Sequence, residues 1–261
     1  MLITSKDNES VKHIRKLKEK KYRDEYNEYI VEGIKLIKEA IMEKANIKTI
    51  VICDNCNKQE EIGQTLLYDI AKYNCIYVDE KVFFSISDVQ NPQGILAVVE
   101  KNNVLGIDYK QDIIIALDDV QDPGNIGTIL RSIDSAGLSQ VILSKRSGDV
   151  YNPKVVRSTM GAIFRVNIIE TDDLIKTLKE VKRHKFEIAS TCLDTDKLIY
   201  DVDYTKKVIV VGNEANGVSK EVQTLSDIKM KIPMLGKTES LNAAVATSIV
   251  IYEYIRKKIQ K

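Results

Sequence analysis

Three stretches end an apolar run and then place polar residues of the kinds that hold anions, read nucleosides or polarise hydroxyls. In LDDVQDPGNIGTILRSIDSAGL, residues 117–138, Pro123 and Gly124 turn the chain. A helix is expected from near Ile126, with Ile126, Ile129, Leu130 and Ile133 as its buried face and Gly137 as its stop. Free N–H groups at such a start suit an anion. Asn125 and Arg131 fall outside the apolar stripe, placed to meet a phosphate or a hydroxyl. In VIVVGNEANGVSKE, residues 208–221, a buried strand runs into Gly212, Asn213 and Glu214, and Gly217 closes the turn. Glycine at 212 permits a close backbone approach or an unusual dihedral. In IPMLGKTESLNAAVATS, residues 232–248, Ile232 and Pro233 leave a strand, Gly236 turns, and Ser240, Leu241 and Asn242 open the last helix. The alanines behind them suit a close helix contact, within the chain or with another copy. Ser240 and Asn242 are not explained by packing.

Strands of a particular kind are needed to present these loops together. After residue 112 come strand-like apolar runs: Ile113 to Leu117, Val141 to Leu143, Phe186 to Ala189, Val208 to Val211 and Ile228 to Ile232, interrupted only by Glu187, Lys229 and Lys231. Runs without alternation fit strands covered on both faces, as in a parallel sheet flanked by helices. Such sheets bind ligands beyond their carboxyl ends. Ahead of them lies a compact α/β module. It has a helix carrying Ile34, Leu36, Ile37, Ala40 and Ile41, strands near 50–52, 76–78 and 94–100, and a helix through Leu66, Leu67 and Ile70. The polar stretch 101–112 reads as a linker, giving domains at 1–104 and 105–261.

Composition narrows the classes. With 261 residues and 44% hydrophobic content the chain can bury a substantial core. The polar start MLITSKDNES and the lack of a long apolar run speak against export and membrane spanning, which leaves the cytoplasm as the expected location. Cys53 and Cys56 stand in CDNC, but no further ligand pair accompanies them. We therefore expect no metal and four reduced thiols. The 39 basic and 38 acidic residues cancel overall. Locally they do not: residues 11–23, VKHIRKLKEKKYR, hold seven Lys or Arg against one Glu, with Ile14 and Leu17 as a narrow apolar stripe. The segment is either a solvated helix face or an arm for RNA phosphates, with Lys12, Arg15, Lys16, Lys20 and Arg23 as contacts.

Taken in order, D-P-G-N-x5-R, then G-N-E with a later Gly, then I-P-M with S-L-N-x-x-V-A, residues 113–258 resemble the SpoU (TrmH) family of S-adenosylmethionine-dependent RNA 2'-O-ribose methyltransferases. SKDNESVKHIRKL and YIVEGIKLIKEA resemble, more loosely, the ribosomal-protein-like RNA-binding domain that often precedes that catalytic domain. The resemblance implies an α/β fold whose C-terminal parallel sheet carries a SPOUT-type trefoil knot, an exception to unknotted topology. It implies S-adenosylmethionine held by Thr191 and by the backbone of Gly212, Ile232 and Leu241. It makes Arg131 the main catalytic residue, with Asn125, Glu214, Ser240 and Asn242 shaping the site. It also implies a homodimer through the C-terminal helix. The reaction would be an in-line attack of a ribose 2'-hydroxyl on the sulfonium methyl. Arg131 is better cast as a phosphate and alkoxide stabiliser than as the base, since a guanidinium stays protonated. Ribosomal RNA is the preferred substrate, with tRNA and a catalytically silent RNA-binding protein as alternatives. A nucleotide-dependent oxidoreductase or small-molecule methyltransferase would need a glycine fingerprint that D-P-G-N-I-G does not supply.

Overall fold

The protein is described by a computed structural model covering residues 2–54, 66–102 and 106–260. Its contacts sort the chain into two units, residues 1–103 with 149–164, and residues 104–148 with 165–261. The segment 149–164, which sequence patterning left with the C-terminal domain, groups with the N-terminal unit.

The first unit holds a mixed sheet of β1 (Leu2–Ile3), β2 (Glu28–Glu32), β3 (Ile47–Cys53), β4 (Cys75–Val78) and β5 (Ile95–Glu100), in spatial order β1-β4-β3-β5-β2. β5 runs antiparallel to β2 and β3, while β1 and β4 add in parallel. β2 was not anticipated. Its YIV is cut from the Ile34–Met42 helix by Gly33, whose φ of 107° is a backbone state that L side chains rarely adopt. The basic segment is also two helices, Glu9–Lys16 and Lys20–Tyr26, and not one. Val11, Ile14 and Leu17 are sealed against Val82, Phe83 and Ile86 of the Glu80–Ile86 helix, all buried in one cluster. Each such side chain contributes roughly 1.5–3 kcal/mol on burial.

The second unit is a six-stranded parallel sheet, β11-β9-β10-β6-β7-β8. Its strands are β6 (Ile113–Asp118), β7 (Gln140–Ser144), β8 (Asn167–Thr171), β9 (Glu187–Thr191), β10 (Lys207–Gly212) and β11 (Ile228–Met230). The unbroken runs mark β6, β7 and β10, which are buried along their whole length, whereas β9 and β11, interrupted by Glu187 and Lys229, are exposed at those positions. The edge strand β8 is only partly buried and has too short an apolar run to stand out. Pairing sets Gly212 beside Asp118 and Met230 beside Thr191, so the strands end along one edge of the sheet. The linker reading fails at its far end. Ile107 and Tyr109 pack on the core with Phe186, and the Tyr109 ring stacks on His184 at 3.6 Å.

The Cys53 sulfur is disulfide-bonded, while Cys75 and Cys192 are free. This corrects the expectation of four reduced thiols: a sulfur in an S–S bond has no thiolate to offer a metal. Cys56 itself lies outside the described residues. Among the described residues there is no cluster of three or more potential metal ligands, and no helix long and apolar enough to cross a membrane.

Candidate active site

The three loops meet where β6, β10 and β11 end. After β6 the chain turns at Asp119, a non-glycine residue at φ 60°. Ser144 from the end of β7 stabilises that turn: its hydroxyl accepts from the Asp119 N–H at 2.8 Å and donates to the Asp119 carboxylate at 2.5 Å. Asp122 then caps the Pro123–Ser135 helix, its carboxylate accepting from the Asn125 N–H at 2.9 Å. Pro123 sits at the first helical position, where its missing N–H costs nothing. The helix thus begins three residues before the expected Ile126.

Asn125 lies at the centre of the site and is only 7% exposed. Its side-chain amide donates to Glu214 Oε1 at 2.8 Å, and its Oδ1 accepts from the Asn242 amide at 2.8 Å. Asn242 in turn caps the C-terminal helix, Ala243–Ile259, by accepting from the N–H groups of Ala244 and Val245. Glu214 completes the circuit by accepting from the Gln121 and Asp122 N–H groups at 3.3 and 3.2 Å. Partial burial pushes the Glu214 carboxyl up, but the Asn125 amide and the backbone N–H donors outweigh it, holding the group below the usual carboxylate range. Glu214, Asn125 and Asn242 therefore form one line of hydrogen bonds across all three loops.

Gly212 and its turn show why the second loop needs glycine. A Cβ at 212 would lie 2.0 Å from the Gly217 carbonyl carbon and 2.1 Å from the Val218 nitrogen. The close approach is thus made by the chain's own turn, closed by paired hydrogen bonds between Asn213 and Gly217. The Asn213 amide reaches across to the Asp119 carbonyl at 2.9 Å. Asp118 accepts from the Ser219 N–H at 2.7 Å. Sequence reasoning did not single out Asp118, Asp119 or Ser144. The only available signal was a pair of aspartates ending an apolar strand.

The third loop differs in kind. Among the described residues, 232–241 make no backbone hydrogen bond. The backbone N–H and C=O of Ile232 and Leu241 stay free at half-buried positions, and Leu235 at the tip is 99% exposed. β11 stops at Met230, two residues short of the expected end. Thr191 ends β9 and has its hydroxyl donating to the Val210 carbonyl at 3.2 Å, which leaves it only acceptor capacity.

Not every candidate joins the network. Arg131 lies on the same helix as Asn125 but six residues on, about 240° round the axis and ~9 Å along it. It is exposed and has no hydrogen-bond or ion-pair partner among the described residues. Ser240 is likewise exposed and unbonded. The small residues of the last helix find a partner within the chain: it packs on the Pro123–Ser135 helix, with Ser132 and Ser248 hydroxyls 2.7 Å apart.

In the first unit the basic candidates separate by environment. Lys12 pairs with Asp7 at 3.1 Å, Arg15 donates to the Lys6 carbonyl at 2.6 Å, and Lys20 pairs with Asp24 at 2.9 Å. Lys16 has no carboxylate partner among the described residues. Arg23 stands apart from these. It is 2% exposed, donates to Asp149 through Nε at 3.0 Å and through a second nitrogen, and bonds the Leu17 carbonyl at 2.7 Å. A guanidinium spent on a buried ion pair is not available to a phosphate.

Parallel strands thus end beside a hydrogen-bonded carboxylate and two amides, at the carboxyl edge of the sheet where α/β folds bind ligands. The SpoU rRNA Methylase family matches residues 112–252, more than half the chain, and an MRM3-like substrate binding domain matches residues 8–97. The chain belongs to the SpoU rRNA methylase family. It is 29% identical over 251 residues to the 23S rRNA (guanosine(2553)-2'-O)-methyltransferase of Bacillus subtilis, covering 96% of this chain and 97% of that one. An AdoMet-bound rRNA methyltransferase of Sinorhizobium meliloti superposes with a TM-score of 0.84 at 31% identity, covering 98% of each chain. AviRb, a SpoU methyltransferase of Streptomyces viridochromogenes solved with AdoMet, gives 0.85 at 26% identity, covering 97% and 98%.

Proposed function

We propose that this protein is an RNA 2'-O-methyltransferase that moves the methyl group of S-adenosylmethionine to a ribose hydroxyl of structured RNA, with ribosomal RNA as its substrate. One observation carries the reading. The Glu214–Asn125–Asn242 line of hydrogen bonds ties three strand-end loops into one site, and residues 232–241, which lead into Asn242, make no main-chain hydrogen bond among the described residues. The named activities of the relatives in Bacillus subtilis and Sinorhizobium meliloti support the same chemistry and favour ribosomal RNA over tRNA.

The residues present fit the methyl donor. An adenine edge can be read by main-chain N–H and C=O, and Ile232 and Leu241 hold theirs uncommitted, with apolar side chains for its faces. Thr191 offers a hydroxyl lone pair at the adjoining strand end. When bound, the donor supplies an electrophilic methyl on a sulfonium. The chain's part is to align the ribose and stabilise charge. Arg131, without a partner among the described residues, presents its fork of N–H donors to an RNA phosphate and to the oxygen that loses its proton. The proton passes to that phosphate or to water. Asn125, Glu214 and Asn242 keep the loops in register, and Ser240 borders the entry.

In this reading residues 1–104 bind the RNA and residues 105–261 carry out transfer. The segment entering the last helix forms a trefoil knot, and two copies pair through that helix, where Val245 and Tyr252 are half exposed. The enzyme works in the cytoplasm with the RNA it modifies. Titration calorimetry with S-adenosylmethionine and tritiated methyl transfer to an unmodified 23S rRNA transcript test the proposal. Micromolar donor binding and a ribose 2'-O-methyl product are expected. Donor binding without transfer to RNA would leave only a silent copy of the fold.

A further inference from the structure

We propose that Tyr22, flanked by Lys16 and Lys21, is a stacking site for an unpaired nucleotide of the RNA; this rests on RNA being the substrate. Pairing within the N-terminal unit leads to it. Lys12, Arg15, Lys20 and Arg23 are engaged as described, and Lys18 donates to the Ser87 carbonyl at 2.6 Å. Lys16 and Lys21 have no carboxylate partner among the described residues, and both ammonium groups lie over the same ring, 5.3 and 5.4 Å from the Tyr22 centroid.

That ring is firmly backed. Tyr22 stacks on Tyr26 with centroids 6.1 Å apart and planes 15° from parallel. Tyr26 packs on the buried cluster and meets the His13 ring at 4.7 Å, and His13 bonds Glu28 at 2.6 Å. Tyr22 itself stays partly exposed, and its hydroxyl has no partner among the described residues. A positioned π face between two uncompensated cations matches the two ends of one nucleotide. The base stacks on the phenol, displacing a lysine from the ring toward the phosphate. A duplex, whose bases are already stacked, cannot use the ring.

The test measures binding of a short fluorescein-labelled oligoadenylate and of an RNA duplex to the full-length protein by anisotropy, over a range of salt. Tyr22→Leu keeps an apolar contact with Tyr26 but removes the π face. It should weaken oligoadenylate binding roughly tenfold with an unchanged salt slope, and leave duplex binding alone. Tyr22→Phe should stay within about twofold of wild type. The double substitution Lys16→Gln, Lys21→Gln should instead flatten the log–log salt slope by about 1.4. Wild-type oligoadenylate affinity in Tyr22→Leu overturns the inference, as does a loss in Tyr22→Phe equal to that in Tyr22→Leu, which would assign the effect to the hydroxyl. Methyl transfer by wild type to the 23S transcript is scored separately. Transfer without the stacking signature sinks this inference alone, and the signature without transfer sinks the proposed activity alone.

Discussion

Glu214→Gln isolates what the carboxylate does for the site. The carboxylate accepts three hydrogen bonds, from Asn125 at 2.8 Å and from the N–H groups of Asp122 and Gln121 at 3.2 and 3.3 Å. A glutamine keeps one carbonyl oxygen for Asn125 but turns an NH2 toward a backbone donor. One acceptor is lost and the other bonds lose their charge. Bonds to a charged group contribute about 1.5–3 kcal/mol when well buried. Glu214 is exposed and the backbone bonds are long, so screening brings the expected loss to roughly 1 kcal/mol. The effect should depend on pH in a definite sense. The folded-state pKa lies below the ordinary value of 4.5, so its stabilisation is complete above that value and disappears as pH falls through the folded pKa. Urea unfolding followed by circular dichroism should therefore show wild type more stable than Glu214→Gln by ~1 kcal/mol at neutral pH, with the gap closing as pH falls below the ordinary value of 4.5. A double-mutant cycle with Asn125→Ala should return a coupling of about 0.5–1 kcal/mol. Equal stability of the two proteins at neutral pH, or a gap unchanged in acid, would refute the reasoning.

Arg131→Ala should lower turnover by about 100-fold or more while donor affinity by calorimetry stays within about twofold, because the guanidinium is assigned to phosphate and alkoxide rather than to the cofactor; equal loss in both would contradict the assignment. Gly212→Ala places a methyl about 2 Å from the Gly217–Val218 backbone and should cost at least ~3 kcal/mol or prevent soluble folding, as read by thermal midpoint. Arg23→Ala should destabilise by roughly 3–5 kcal/mol through the stranded Asp149, and the folded fraction should keep the wild-type salt slope for RNA. A shallower slope would return Arg23 to the phosphate-binding face.

The sequence by itself determined whatever depends on near neighbours. Unbroken apolar runs mark β6, β7 and β10, the fully buried strands of the second unit, because a two-sided strand needs no alternation. D-P-G starts a helix because a cap and a proline act within one turn, although the start was placed at Ile126 and not at Pro123. The loops were also legible as loaded, since Asn125 and Glu214 have no local role there, and capping uses only the side-chain oxygen of Asn242. Their partners were not legible: Asn125 meets residues 89 and 117 positions away, and no local rule sets that register. Tertiary structure also decided between charges that look alike in sequence. Lys16 and Arg23 sit seven residues apart in one basic run, yet one lies over an aromatic ring without a carboxylate partner and the other is sealed against Asp149. Desolvation and pairing depend on which surfaces the fold brings together, and composition carries no record of that.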